Sequence, residues 1–430
     1  MHRYIARWLI VVAPSFLLLV SCCDIPEVSK LDGHFEDFNE ELLLPLKNQQ
    51  SLVPEYADAD SVLISLPLLT IFKKESLVQK ILTSGINTIY VAVSHDYSGT
   101  IGHEDFSTLR KMLGDRINQV KILRQNHNGP VSVWARDWAP ISTVSNDGQL
   151  RLVDFNYYSH RPADDGTALS LAKSYGIDRL SLPVYNEGGN FMANSRGECF
   201  LSNRVTESNR YPSYSGDPSL SEDEVVQYFK DYLACQSVEI FPRLPIEQTG
   251  HIDMWAKFVD DDTVLISEIM DETLRSTRGR KTVRKATERI RDFLEEQSSR
   301  FEDLGYRVLR VPMPAPTLAP QGFIIRSYTN SLIVRGQAII PRYIESTQYS
   351  SQIARSVNRF TKKISPKFLN KIFRSIIKPK YLDQWLLDSY ERKVASAYEN
   401  AGYQTSFIDS DQLIAYGGSI HCVTMQLGIQ

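Results

Sequence analysis

The sequence predicts an α/β fold assembled as a radial array of small sheet modules. Two observations carry this expectation. Four stretches share one layout, a polar motif followed at once by a β-hairpin, with helical stretches between them. Their polar anchors Asp137, Glu187, Asp253 and Asn330 stand 50, 66 and 77 residues apart. That spacing is too loose for a short solenoid but suits modules joined by loops of varied length. Such an array sends one polar residue per module toward a shared axis.

The elements follow in chain order. His2, Arg3 and Arg7 precede an apolar run over residues 8–20, interrupted by Pro14 and Ser15. A run of that length suits a signal-peptide core and falls short of a membrane span. Leu19-Val20-Ser21-Cys22 follows directly and resembles a bacterial lipobox, where the chain is cut before the cysteine and Cys22 is acylated. The expectation is an exported protein, lipid-anchored to a bacterial membrane, with residues 1–22 as its signal. An ordinary secretory signal ending at a cysteine gives export as well. Residues 23–58 are acid-rich without a clear period and read as a tether. The folded domain is expected over residues 59–430.

Residues 62–66 and 89–93 predict strands, and residues 75–83 a helix. Turns at 146–148, 194–197, 260–262 and 335–337 close the four hairpins. Val225, Tyr228, Phe229 and Leu233 recur at helical spacing over 221–234. Ile290, Phe293 and Leu294 do the same in a long charged helix over 278–305. Residues 351–380 interleave Lys and Arg with apolar residues and contain no Asp or Glu, so a basic helical insertion is expected at about 345–385. It suits an anionic lipid surface or, more simply, a solvated helix.

Composition narrows the function classes. With 42% hydrophobic and 23% charged residues and a net charge of −3, the chain reads as globular and not as a dedicated nucleic-acid binder. Its 21 tyrosines favour a β-rich fold with aromatic-lined pockets. Of the five cysteines, Cys22 and Cys23 belong to the anchor region. Cys199 and Cys235 either pair or stay as buried thiols, and Cys422 is left over for chemistry. No CxxC or zinc spacing occurs, and residues 260–262 lack the pattern of a calcium loop, so no metal or cofactor is expected.

Cys422 follows Gly417-Gly418, a pair that permits close backbone approach. His251 and Asp253 stand two residues apart, so on an extended segment both enter one pocket. His251 suits general acid/base work, and Asp137 and Glu187 head their own hairpins. One thiol, one imidazole and three carboxylates make an electronegative pocket that selects a cation. On an extended segment His421 faces away from Cys422, which leaves it outside the set.

The motifs WARDWAP (134–140), EGGN (187–190), GHIDMWAKF (250–258), SYTNSLIV (327–334) with IIPRY, and GGSIHC (417–422) occur in that order. In this they resemble the bacterial, Porphyromonas-type peptidylarginine deiminase and agmatine deiminase family of the guanidino-group-modifying (pentein) superfamily. The resemblance covers roughly residues 60–430 and implies a five-bladed α/β propeller. It also implies a hydrolase that removes ammonia from a guanidino group. Asp137 and Asp253 would clamp the guanidinium, Trp134 would stack on it, and Cys422 would attack its carbon. His251 would protonate ammonia and activate water, with Glu187 orienting it and stabilising its charge or joining the clamp. Asn330 would line the pocket or cap a turn.

Residues 154–165 resemble the segment that recognises a C-terminal carboxylate in the exported members. Arg161 is present there, with Ser159 at the place of a second arginine. Peptidyl or C-terminal arginine, converted to citrulline, is the expected substrate, and agmatine, converted to N-carbamoylputrescine, the alternative. The partners implied are such a guanidino compound and a membrane reached through the lipid anchor. Two other classes are a catalytically inactive lipid-anchored guanidino binder and a cysteine peptidase. The carboxylates oppose the latter, because they would repel an oxyanion.

Overall fold

The computed structural model describes residues 50–146, 148–210, 219–319, 322–343 and 384–428. The signal, the Cys22 anchor and nearly all of the basic insertion lie outside the described residues. Strand β1 (Gln50–Leu52) comes first, followed by β2 (Ser61–Ser65), β3 (Thr88–Val93) and β4 (Val120–Arg124). The last three are parallel neighbours. The helix Glu75–Thr83 carries the chain from β2 to β3 and buries Leu77, Val78, Ile81 and Leu82 at helical spacing.

Three further modules then repeat one wiring. The strands β5 (Ile141–Ser145) and β6 (Leu150–Asn156) form a hairpin, and β7 (Asp178–Tyr185) lies parallel to β6. The same order recurs in β8 (Met192–Ala193), β9 (Glu198–Ser202) and β10 (Ser237–Phe241). It recurs again in β11 (Ala256–Phe258), β12 (Thr263–Glu268) and β13 (Arg307–Pro312). A small hairpin, β14 (Thr317–Ala319) with β15 (Gly322–Ile324), intervenes. The fifth module in chain order is β16 (Leu332–Val334), β17 (Gln337–Arg342) and β18 (Gln404–Asp409). Finally β19 (Met425–Leu427) returns to pair antiparallel with β2, giving the first sheet the same antiparallel-then-parallel order. Parallel pairing after each hairpin requires a crossover, and helices supply it. The longest, Lys281–Asp303, buries Val283, Ala286, Ile290, Phe293, Leu294 and Phe301 along one stripe. Apart from Ala286, each such side chain contributes about 1.5–3 kcal/mol when fully buried.

The expected elements shift only at their edges. The first strand ends at Ser65, because Leu66 opens a short helix with Pro67 in its first turn. Gln337 begins β17 instead of closing the turn before it. The larger correction concerns the tether. Residues 50–52 form β1, which pairs with β5, and residues 53–57 are half-buried against the molecule. The folded domain therefore starts by residue 50, not at 59. Acid-rich composition hid this, since the partners of this segment come from every part of the chain.

Cys199 and Cys235 form a disulfide with a sequence separation of 36. The parallel register of β9 and β10, with Ser237 opposite Glu198, brings them together. Closing a loop of that size stabilises the fold by about 4 kcal/mol in the chain-entropy account. Cys422 is the free cysteine among the described residues. No helix among the described residues is long and apolar enough to cross a membrane.

Candidate active site

Each polar motif reaches the interior just before the first strand of a module. Asp137 sits in one helical turn, Ala135–Trp138, ahead of β5. Glu187 precedes the single 3-10 turn Gly188–Asn190, ahead of β8. His251 precedes the 3-10 turn Ile252–Met254, which holds Asp253 ahead of β11. Asn330 lies ahead of β16, and Cys422 lies in a turn ahead of β19. His251 and Asp253 thus share a pocket through a tight turn, not through the extended segment their spacing suggests. Five modules deliver six side chains, all between 0 and 4% exposed.

Those side chains meet. The Asn330 Nδ2 donates to Asp253 Oδ2 at 2.9 Å and to the Cys422 Sγ at 3.2 Å. The Sγ lies 3.8 Å from the same Asp253 oxygen. His251 Nε2 donates to Glu187 Oε2 at 2.8 Å, and Glu187 Oε1 accepts from the hydroxyls of Tyr158 and Tyr185 at 2.8 and 3.1 Å. On the other side of the ring, His251 Nδ1 lies 3.7 Å from Asp137 Oδ1, which accepts the Gly189 N–H at 3.3 Å. His251 Nδ1 and Asp253 Oδ1 are buried without a hydrogen-bond partner in the protein. The unpaired Asp253 oxygen, a buried acceptor, fits a ligand that supplies donors and positive charge. Gly417, with φ of 104°, lets the chain turn sharply ahead of the thiol.

Burial and charge set the protonation states. Burial pushes the His251 pKa down, but Asp137 and Glu187 outweigh it and raise it to about 10. His251 is therefore an imidazolium at neutral pH. The stability this adds is complete below the ordinary value of 6.5 and is lost as pH rises through about 10. Burial also opposes ionisation of Glu187, yet the His251 charge and hydrogen bond hold it below the usual carboxylate range. Asp137 is pushed up by burial and by its carboxylate neighbours Glu187 and Asp253, against the pull of His251. The Cys422 thiol is pushed well up by burial, then by Asp253 and Asp137. Without a bound cation, the sulfur is a thiol.

A family described as Porphyromonas-type peptidyl-arginine deiminase matches residues 51–364. The chain belongs to that family. Its match takes in Asp137, Glu187, His251, Asp253 and Asn330 and stops before Cys422. This deiminase-family chain is 22% identical over 307 residues to a Shewanella baltica (strain OS155) protein named "Putative agmatine deiminase", covering 68% of this chain and 73% of that one. The agmatine deiminase of Enterococcus faecalis superposes with a TM-score of 0.62 at 15% identity, over 89% of this chain and 96% of that one. A Porphyromonas gingivalis structure named "Putative Arginine Deiminase" gives 0.62 at 18% identity, over 88% and 98%. The α/β fold is accordingly that of the pentein-type deiminases.

Within this deiminase fold, the remaining expected residues take different places. Trp134 packs on the turn that holds the thiol: a Cβ on Gly418 would lie 2.4 Å from its ring and 3.0 Å from the Cys422 Sγ. Arg161 lies with its guanidinium 5.6 Å from the Tyr158 ring centre and 3.9 Å from Asp164 Oδ2. Arg136, beside Asp137 in sequence, points away from it to Glu55 and to the Thr424 carbonyl.

His421 is a correction. Residues 420–423 form a turn, so strand alternation does not apply, and His421 Nδ1 lies 2.7 Å from Asp253 Oδ2. Sequence reasoning also missed Glu55, Tyr158 and Gly189. Glu55 carried no local signal, whereas Gly189 stood in plain view in the EGGN motif. Cavities near the site open under residues 53–59; one is lined by Glu55, Tyr56, Phe191, Asp253, Lys257 and His421.

Proposed function

We propose that this protein hydrolyses the guanidinium group of an arginine-like substrate through a covalent Cys422 intermediate. The observation that carries this reading is the convergence of a thiol, an imidazolium and three carboxylates from four modules on one buried point. One cation satisfies Asp253 Oδ1 and Asp137 together, which suits a planar guanidinium held by charge-assisted hydrogen bonds. We read the five module sheets as blades around that point; the delivery of site residues from all five modules supports this closed arrangement.

Binding of the cation favours the thiolate, and the thiol proton leaves to solvent. The Asn330 Nδ2 donates to the sulfur as it becomes charged. The thiolate attacks the guanidinium carbon, forming a C–S bond. Collapse of the tetrahedral adduct breaks one C–N bond, and ammonia leaves with the proton of His251. His251, now neutral, takes a proton from water. The resulting hydroxide attacks the same carbon, the C–S bond breaks, the hydroxyl proton of the adduct passes to the departing sulfur and restores the thiol, and the ureido product departs. Glu187 holds the ring throughout.

For the substrate, peptidyl or C-terminal arginine is our first reading. Arg161 supports it, since Tyr158 links that guanidinium to Glu187 at the site. Agmatine is the second reading, favoured by the relatives bearing that name and by Asp164, which offsets the Arg161 charge. Comparing kcat/KM for an arginine-terminated peptide, its C-terminal amide and agmatine tests the choice. The peptide is expected to exceed the other two by at least about tenfold, the worth of one hydrogen bond to a charged group. Arg161→Ala is expected to remove that advantage and leave agmatine turnover unchanged. Turnover of agmatine alone overturns the first reading.

We also read the protein as exported and anchored through Cys22. The Cys199–Cys235 disulfide supports an oxidising compartment. Palmitate labelling of the wild type in cells, and its absence in Cys22→Ala, is the expected result; equal labelling of both discards the anchor.

A further inference from the structure

Residues 53–60 run as a strap between β1 and β2, and they touch all five modules. The strand β1 is paired with β5. The Tyr56 hydroxyl donates to Asp261 in the β11–β12 turn and accepts the Ser195 N–H from the β8–β9 turn at 3.0 Å. Arg335, in the β16–β17 turn, donates to the Ala59 carbonyl at 3.0 Å and pairs with Asp60. Gln426 in β19 donates to the Glu55 carbonyl at 3.4 Å.

The strap places one carboxylate beneath the site. Glu55 accepts from Arg136 Nη1 and from Lys257 Nζ, each at 2.7 Å. Its two oxygens lie 2.7 and 2.8 Å from His421 Nε2. The far nitrogen of that ring, Nδ1, lies 2.7 Å from Asp253 Oδ2. A continuous chain thus runs from the strap through one imidazole to a carboxylate 3.8 Å from the thiol.

We infer that Glu55 and His421 are positioning residues for the guanidinium clamp. Glu55 fixes the orientation of the His421 ring, and the ring fixes the carboxylate plane of Asp253. This inference rests on the deimination reading above. Asp253 can turn about its Cβ–Cγ bond, and two donors on Oδ2, from His421 and Asn330, stop it. Its Oδ1 is then the oxygen left facing the substrate, which agrees with that atom lacking a partner in the protein. Burial opposes ionisation of Glu55, but Arg136, His421 and Lys257 outweigh it and hold its pKa well below the usual range. The anchor of the relay thus stays charged wherever the enzyme would work. Reactive groups need placement to a fraction of an ångström, and a partner that acts through another residue supplies it.

His421→Asn and His421→Gln test the relay in the full-length protein. An asparagine amide stands where Nδ1 stood and still donates to Asp253; a glutamine amide stands where Nε2 stood and reaches only Glu55. Both lose the ring, so a purely structural role predicts equal effects. The expected result is a kcat/KM for His421→Gln at least about tenfold below that of His421→Asn, with similar unfolding midpoints. The ratio should be the same for agmatine and for an arginine peptide, because the relay ends on the guanidinium they share. Glu55→Gln tests the opposite end: kcat/KM is expected to fall about tenfold for both substrates. Equal kcat/KM in the two His421 variants, a ratio that changes with the substrate's tail, or an unchanged Glu55→Gln overturns this inference in an active enzyme. A wild type that turns over no guanidino compound overturns the deimination reading as well.

Discussion

Cys422→Ala is expected to lower turnover of the guanidino substrate by at least about a thousandfold, the scale seen when a covalent nucleophile is removed. Its unfolding midpoint should stay close to that of the wild type. The sulfur is buried as a neutral thiol, so its loss strands no charge and opens a space of one atom. Product assays for the ureido compound and for ammonia, beside a thermal melt, check both halves. Residual turnover within tenfold of wild type would show that another group attacks the carbon. The same thiol makes a second, sharper mark. Burial, and then Asp253 and Asp137, raise its pKa in the free protein, so alkylation by iodoacetamide at pH 7 should be slow. A small guanidinium ion that supplies the missing positive charge without filling the attack path should speed it. A peptidase would show the reverse preference, because a neutral carbonyl brings no charge to offset the carboxylates. A guanidino binder without catalysis would lose neither affinity nor product in Cys422→Ala, since it forms none.

The parts of this fold that were legible in the sequence are those whose signal is local. Leu77, Val78, Ile81 and Leu82 announce the helix Glu75–Thr83 by their spacing alone. The Asn194–Gly197 turn announces its hairpin by residue type, and Gly197 adopts a φ of 75° there. The site was legible because each module carries its polar residue at the same place relative to a hairpin. What escaped is non-local. Glu55 sits 366 residues from His421 in sequence, and nothing near it has a helical or strand period. Only the folded molecule shows that Arg136, Lys257 and His421 converge on it. His421 failed for a different reason. Alternation of faces holds in a strand, and the Gly417-Gly418 pair that freed the backbone near the thiol also removed the strand. The Cys199–Cys235 pairing likewise depends on the β9–β10 register, which no spacing of two cysteines encodes.

Gly189→Ala is expected to cost at least about a hundredfold in kcat/KM, the scale of an ångström misplacement of catalytic groups. A Cβ built on Gly189 would lie 2.6 Å from His251 Nδ1, 2.9 Å from Asp137 Oδ1 and 3.1 Å from Asp253 Oδ2. None of these atoms is the loose end of a long side chain. His251 is tied to Glu187 from its other nitrogen, Asp253 is held through its Oδ2, and Asp137 accepts the N–H of Gly189 itself. A methyl group here must therefore move the clamp or occupy the position between its arms. The backbone offers no separate objection, because Gly189 does not adopt a positive φ. That separates it from Gly188, where a Cβ would lie 2.2 Å from the Arg136 carbonyl oxygen and the main chain itself would have to shift. Gly188→Ala should lower the unfolding midpoint as well as activity, whereas Gly189→Ala should lose activity with little change in midpoint. Steady-state kinetics and thermal melts on the two variants distinguish these outcomes. Wild-type kcat/KM in Gly189→Ala would mean that the guanidinium does not sit between Asp137, His251 and Asp253, and the assignment of both clamping carboxylates would fall with it.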